Sequence, residues 1–343
     1  MNWKVVSTVR PLKDFLDKVE SYQGLPPSLY VDLEGENLSR HGTIAIVSIL
    51  LEPEDKVYLI DVTMLGKAAF LTVGSKGRSL KDILESEDFI KVIFDVRSDS
   101  DALYNLYQVN LRGVEDLQLM ELATRTWSRY RLKSLFNCIR EDAGLTMAEW
   151  IAWSRVKNNG KHLFAPELGG SYSVFAKRPL SKPVLKYCCQ DVELMPRLRE
   201  RYLGQLCDGW WQKIIETTKA RVEEARQPDS SFRDEMYADN EDRRVNPKAL
   251  GPSDWQYWRP EGEQKLRKLL PESQSRRITA SRLSELLATR EEVTTGPVAD
   301  GNTSTTQTVL ESSSADSKVM AEDDEEGWIV VQRRRNWGSQ WAW

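Results

Sequence analysis

Asp32 and Glu34 stand one residue apart at the end of a short apolar segment. Because side chains on a strand alternate between faces, a strand here would place both carboxylates on the same face. Two carboxylates that close repel each other unless a cation lies between them, and their oxygen atoms suit a hard divalent ion such as Mg²⁺ or Mn²⁺. A pair of solvated acids at a strand edge has the same pattern, so a metal site requires further ligands from elsewhere in the chain.

Two later segments offer such ligands. Tyr187 and Asp191 are four residues apart in a segment with helical periodicity, so they share one helix face. A surface hydrogen bond between them is the alternative interpretation. Three acids, Asp95, Asp99 and Asp101, follow the carboxyl end of a predicted strand. Capping of the next helix explains one of these acids but not all three.

The elements that must position these residues follow from the apolar pattern. An antiparallel meander of three strands is predicted over 28–35, 42–51 and 57–62, and later strands over 89–94 and 109–116 alternate with helices. This order predicts an α/β fold with a mixed sheet flanked by helices.

Helical periodicity continues after the sheet. Residues 136–153 are predicted to form one helix, and a long helical pattern runs from 182 to about 202. Between them, the polar sequence at 158–161 predicts an ordered excursion or a flexible loop over 156–171. The function of the wider stretch 148–177 is left open.

Composition limits the class of protein. The chain has 343 residues with 40% hydrophobic content, enough for a substantial core. It has no apolar run of bilayer length and no secretory signal pattern. Its four cysteines lack CxxC spacing. Together these features predict an intracellular protein of the nucleus or cytoplasm without membrane association. Two histidines disfavour zinc sites and histidine-based triads. The net charge of −4 means that any polyanion must bind a local basic patch.

The three motifs in their order resemble the exonuclease motifs of the DEDD superfamily of 3′-to-5′ exonucleases. The tyrosine is similar to that of the branch with RNase D and the Werner-type exonuclease domain, and the resemblance runs from about Leu29 to Tyr202. It implies an RNase H-like α/β fold. It also implies metal-dependent hydrolysis of RNA or single-stranded DNA from a free 3′ end, releasing nucleoside 5′-monophosphates.

The resemblance also assigns roles to residues. It implies that Asp32, Glu34 and Asp191 bind one of two divalent ions, Mg²⁺ or Mn²⁺, and that Asp32 also contacts the second. Asp99 would contribute at the second ion. Tyr187 would orient the attacking water, since a phenol is a poor general base at neutral pH.

The second-motif acid is chosen by spacing within the family. Counting back from Asp116 by the family interval of about seventeen residues lands on Asp99. Asp101 requires a slip of two residues, and Asp95 requires an insertion, so both remain alternatives.

Basic and apolar residues near the motifs are candidate contacts to nucleic acid. The charged ones are expected to bind phosphates and the others to wedge or stack the terminal base. Solvated surface charge is the alternative for the basic residues. The candidates are Leu33, His41, Arg97, Lys177, Arg178 and Lys186.

The chain divides into four predicted parts: an exonuclease domain (1–225), a charged linker (226–250), a small helical appendage (251–290) and a disordered tail (291–343). The tail ends in a segment rich in tryptophan and arginine. Such a segment predicts a docking motif for a protein partner or a strip that binds single-stranded nucleic acid.

Two rival functions follow from the same residues. A catalytically silent exonuclease-like domain would serve as a nucleic-acid-binding or scaffolding module, but the presence of all four acids and the tyrosine favours activity. A Mg²⁺-dependent phosphotransferase is disfavoured because the chain lacks the GxxxxGK[ST] loop that cradles phosphates.

Overall fold

A six-stranded sheet forms the centre of the structure. The computed structural model describes residues 2–23, 29–126, 128–227, 251–256 and 258. The strands lie in the order β1-β4-β3-β2-β5-β6. Their bounds are β1 (Trp3–Val6), β2 (Leu29–Glu34), β3 (Ile46–Leu51), β4 (Lys56–Asp61), β5 (Lys91–Ile93) and β6 (Val114–Asp116).

The sheet combines both strand directions. Strands β2, β3 and β4 pair antiparallel, as the meander predicted. Strand β5 pairs parallel with β2 and with β6, and β1 pairs parallel with β4. The predicted α/β class, with an antiparallel meander followed by parallel strands and flanking helices, is confirmed.

Helices cover both faces of the sheet. None of the described helices is both long and apolar enough to cross a bilayer. In chain order they are α1 (Val9–Ser21), α2 (Val62–Leu65), α3 (Ala68–Leu71), α4 (Leu80–Glu85), α5 (Val96–Tyr107), α6 (Leu117–Thr124), α7 (Leu135–Asp142), α8 (Met147–Phe164), α9 (Lys182–Glu193), α10 (Met195–Leu203) and α11 (Asp208–Glu224).

Strand β2 separates the core into two layers. Leu29, Val31 and Leu33 pack into the apolar cluster on the side of α1 and α4. Tyr30 packs into the opposite cluster, together with residues of α6, α7 and α9. Because alternate residues share a face, Asp32 and Glu34 lie on the side of Tyr30, where α9 crosses the sheet.

The prediction of a loop over 156–171 is wrong for residues 156–164, which are helical. Helix α7 ends at Asp142, and Gly144 with a φ of +64° interrupts the predicted helix 136–153. Thr146 and Glu149 then form a capping box that begins α8, which continues to Phe164. Trp153 is buried against the core, so tertiary packing outweighs the low helix propensity of the Asn-Asn-Gly sequence.

The first described residues after the predicted linker pack against α11. The ring centroid of Trp210 on α11 lies 5.1 Å from that of Trp255 and 4.5 Å from that of Trp258. Apart from 226–227, 251–256 and 258, the predicted linker, helical appendage and tail lie outside the described residues and stay predictions.

Candidate active site

Three carboxylates from distant parts of the sequence meet at one end of the sheet. Asp32 and Glu34 end β2, and Asp191 lies near the end of α9, which packs across this face. One side-chain oxygen from each residue lies within 4.8 Å of the other two. Asp191 is buried, and the other two are half-buried. Three of the four residues predicted to bind metal therefore form one cluster.

The cluster is electrostatically unfavourable by itself. Burial and the neighbouring Asp191 carboxylate raise the pKa of Asp32 to about 8. Burial, Asp32 and Asp191 together raise the pKa of Glu34 well above its usual range. Both shifts have the direction expected for carboxylates that lie close together away from solvent.

The chemistry of the donors fits a divalent cation. The cluster offers only carboxylate oxygens, which are the preferred ligands of hard ions such as Mg²⁺ and Mn²⁺. A doubly charged ion would also offset the repulsion that raises the pKa of Asp32 and Glu34. The residues present therefore form a possible acidic metal site.

Tyr187 lies beside this cluster, one helical turn before Asp191. Its ring packs between Phe164 and Phe175, with centroids at 5.0 Å and 6.1 Å. Burial and the negative charge of Asp191 raise the pKa of Tyr187 well above its usual value. The hydroxyl is therefore protonated at neutral pH and can donate or accept a hydrogen bond.

Gly160 makes room for the tyrosine ring. An ideal Cβ atom on Gly160 would lie 2.2 Å from Cδ2 and 2.7 Å from Cγ of Tyr187. Helix α8 therefore approaches α9 more closely here than any side chain allows. Gln190 also joins the two helices, since its Nε2 donates to the Trp153 carbonyl at 3.1 Å.

Lys157 brings a positive charge to the cluster. Its Nζ lies 2.6 Å from both carboxylate oxygens of Asp191 and 3.0 Å from the hydroxyl of Tyr187. Neither Lys157 nor Gly160 was predicted as a site residue, because both fall in the segment interpreted as a loop. The capping box at 146–149 was the available signal that a helix would carry them towards the site.

The three acids of the second motif have different surroundings. Asp95 forms a bidentate ion pair with Arg97, with both contacts at 2.6 Å. Asp101 accepts from the backbone N–H and the Nε of Arg40 at 2.8 Å and 3.0 Å. Asp99 is buried, and its charge contributes to the raised pKa of Glu34, which places it within electrostatic range of the cluster.

Three of the predicted nucleic-acid contacts also make contacts within the fold. Arg97 is buried and paired with Asp95, and Leu33 is buried in the core. Arg178 donates from Nε and Nη2 to the two oxygens of Asp61, each at 2.5 Å. These two arginines are therefore paired within the fold and Leu33 is covered, and the assignment of all three residues as contacts to nucleic acid stays a prediction.

The other three candidates remain accessible. His41, Lys177 and Lys186 are exposed on the described surface. Their assignment as contacts to nucleic acid stays a prediction.

Comparison with known sequences identifies related proteins. The profile of a family described as 3′–5′ exonuclease matches residues 4–206. Over 94 residues the chain is 35% identical to the piRNA biogenesis protein EXD1 of Mus musculus and to that of Homo sapiens, covering 27% of this chain. The matched part is 15% of the mouse protein and 17% of the human protein, so it spans a minor part of each relative.

Solved structures show the same fold. RNase D of Trypanosoma brucei in complex with RNA U12 is 22% identical, with a TM-score of 0.53 over 65% of this chain and 70% of that chain. Its GMP complex is 24% identical, with a TM-score of 0.53 over 65% of this chain and 64% of that chain. At this level of identity the similarity establishes the fold.

Replacing Gly160 with alanine tests the close approach of the helices. In most helices Gly→Ala is stabilising by about 1 kcal/mol. Here the added methyl group overlaps the Tyr187 ring, so we expect Gly160→Ala to destabilise the protein by about 1–3 kcal/mol. Urea unfolding measures the change, and Asn159→Ala at the exposed preceding position is the control. Equal stability of Gly160→Ala and wild type would contradict the geometry.

Replacing Asp32 with asparagine tests the electrostatic cost of the cluster. The pKa of Asp32 is higher in the folded protein, at about 8, than its usual value of 3.8. The folded state therefore binds the proton more tightly, and metal-free wild type loses stability as pH rises from about 4 to 8. We expect Asp32→Asn to remove much of this loss and to raise the melting temperature in EDTA at pH 8 by roughly 3–10 °C.

Thermal unfolding at pH 5, 6.5 and 8 measures this effect. Asp14→Asn, at an exposed position of α1, is the matched control. A melting temperature of Asp32→Asn that stays level with wild type at pH 8 would show that the cluster carries no repulsion.

Proposed function

Because the chain belongs to the 3′–5′ exonuclease family, whose profile matches residues 4–206, we propose that it is an active 3′-to-5′ exonuclease. The proposed reaction is metal-dependent hydrolysis of RNA or single-stranded DNA from a free 3′ end, with release of nucleoside 5′-monophosphates. The observation that carries this proposal is the cluster of Asp32, Glu34 and Asp191 beside Tyr187.

The proposed substrate is nucleic acid, with RNA tested first. The related RNase D of Trypanosoma brucei binds RNA U12, and we extend that substrate class to this chain. An aromatic ring near the cluster supports the extension. Tyr172 is 39% exposed, and its ring centroid lies 5.5 Å from that of Phe164, which in turn contacts Tyr187. Exposed aromatic rings of this kind stack bases of single strands with little dependence on sequence.

Four acids would hold the metal. Asp32, Glu34 and Asp191 would bind the first divalent ion, and Asp32 with Asp99 would contact the second. Two such ions, Mg²⁺ or Mn²⁺, would lower the pKa of an attacking water and would stabilise the negative charge of the leaving 3′ oxygen. The raised pKa values of Asp32 and Glu34 mean that these acids release protons when they take up metal.

Tyr187 would position the nucleophile. Its hydroxyl is protonated at neutral pH and is fixed by the packing of its ring, so it can hold a water in line with the scissile phosphate. The water oxygen forms a bond to phosphorus while the bond from phosphorus to the 3′ oxygen breaks. The attacking water loses a proton to solvent and the leaving oxygen takes one from solvent, which leaves a new 3′ hydroxyl on the shortened strand.

Nuclease assays with the purified full chain test this proposal. A 5′-labelled single-stranded RNA and its DNA counterpart are incubated with Mn²⁺, Mg²⁺ or EDTA. We expect a ladder of shortened products with metal and none with EDTA. Asp32→Ala and Asp191→Ala should each lose more than about 100-fold in rate, since even the groups that support a metal ligand contribute about 10- to 100-fold.

Two controls define the reaction. Asp14→Asn should retain the wild-type rate, and a circular RNA of the same sequence should remain intact because it has no 3′ end. Activity that persists in EDTA or in Asp191→Ala would refute the proposed site.

A catalytically silent nucleic-acid-binding module is the second candidate. The observation that favours it is the ion pair between Lys157 and Asp191, which already neutralises one of the acids. Wild type that binds RNA but shows no metal-dependent cleavage, with equal binding by Asp32→Ala, would support this function.

A further inference from the structure

Lys157 contacts the acid cluster more directly than a surface charge would. Its Nζ lies 2.6 Å from Oδ1 and 2.6 Å from Oδ2 of Asp191. The same atom lies 4.3 Å from the centroid of the Tyr187 ring. The side chain of Lys157 is 20% exposed and that of Asp191 is 7% exposed, so the pair is largely shielded from solvent. One ammonium group thus covers both oxygens of a proposed metal ligand.

The ammonium also acts on the other two acids. Its positive charge lowers the pKa of both Asp32 and Glu34, opposing the effects of burial and of their neighbours. Lys157 is therefore the counter-ion of the whole cluster and not only of Asp191. A single positive charge does not complete the neutralisation, because the pKa of Asp32 is still raised.

The backbone of Lys157 is fixed while its side chain is long. Gly160, three residues later on the same helix face, packs directly against Tyr187 and sets the distance between α8 and α9. The charge itself sits at the end of four methylene groups, which allow a lysine ammonium to move several ångströms without movement of its helix. The ammonium can therefore leave Asp191 while the helices stay in place.

We propose that Lys157 is a built-in cation that occupies the acid cluster in the ion-free protein and competes with divalent metal for Asp191. This inference rests on the proposed metal site. A metal ion can use both oxygens of Asp191 only after the ammonium has withdrawn. The apparent affinity for metal is therefore the intrinsic affinity multiplied by the fraction of molecules in which the ammonium has withdrawn. Lys157 thereby lowers metal affinity and at the same time stabilises the ion-free fold.

Replacing Lys157 with methionine tests the competition without any nuclease assay. Methionine keeps most of the length and apolar volume of the side chain but has no charge. Binding of Mn²⁺ to the purified full chain is measured by titration of the electron paramagnetic resonance signal of free Mn²⁺. We expect Lys157→Met to bind Mn²⁺ at least about fivefold more tightly than wild type, the lower end of typical coupling between two ligands.

Thermal unfolding provides a second readout. In EDTA, Lys157→Met should melt at a lower temperature than wild type, because Asp191 loses its counter-ion. Saturating Mn²⁺ should raise its melting temperature by more than it raises that of wild type. Lys161→Met, one turn further along α8, is the control, since Lys161 makes no ion pair within the described residues. It should match wild type in both measurements.

A second variant covers the case in which methionine prevents folding. Lys157→Gln keeps a hydrogen-bond donor but removes the charge, and it should show the same change in Mn²⁺ affinity. A variant that is unfolded in EDTA and folds on addition of Mn²⁺ would support the proposal in a stronger form. Unchanged or weaker Mn²⁺ binding by both variants, with wild type binding normally, would overturn the competition alone. Absence of Mn²⁺ binding in wild type and variants alike would overturn the metal site itself.

Discussion

Repulsion among Asp32, Glu34 and Asp191 is the constraint on which the rest of the structure depends. Their oxygens lie within 4.8 Å of one another in a partly buried position, which is unfavourable for free carboxylates. The chain keeps them together through backbone elements and not through attraction between the acids. Strand β2 is held on both sides, by β3 and β5, and α9 is held against this sheet by a continuous apolar cluster. The favourable free energy of that packing offsets the repulsion between the carboxylates, as is common where function requires a strained site.

Helix α8 shows how the segment between the second and third motifs contributes to the site. Lys157 brings a positive charge to Asp191, and Gly160 removes a side chain where Tyr187 must fit. These two residues are three positions apart and therefore lie on the same face of the helix. A helix that only filled space would favour alanine at position 160. Glycine at position 160 leaves room for the Tyr187 ring, although glycine has a lower helix propensity than alanine.

Sequence reasoning found the parts of the site that obey a local period. The alternation of β2 placed Asp32 and Glu34 on one face, and the spacing of four residues placed Tyr187 beside Asp191. It missed the second half of α8 because Asn158, Asn159 and Gly160 have low helix propensity, and the packing that outweighs this propensity involves residues far away in the chain. Ion pairs across long sequence separations, such as that of Arg178 with Asp61, have no local pattern at all. For the same reason, nothing in the local sequence around Arg178, which was predicted to bind phosphate, indicated its ion pair with a carboxylate over a hundred positions earlier.

The acids at the start of α5 illustrate how similar residues acquire different functions through their neighbours. Asp95 adopts a left-handed backbone conformation with a φ of +62° and binds Arg97, which fixes the entry into the helix. Asp101 holds Arg40 of the loop after β2, whose guanidinium also donates to the carbonyl of Ala225 at 2.9 Å. These two acids therefore connect the loop and α11 to α5 around the site. Asp99 lies between them in sequence, and its charge contributes to the raised pKa of Glu34. The ion pairs of the two flanking acids thus lie on either side of Asp99 in the first turns of α5.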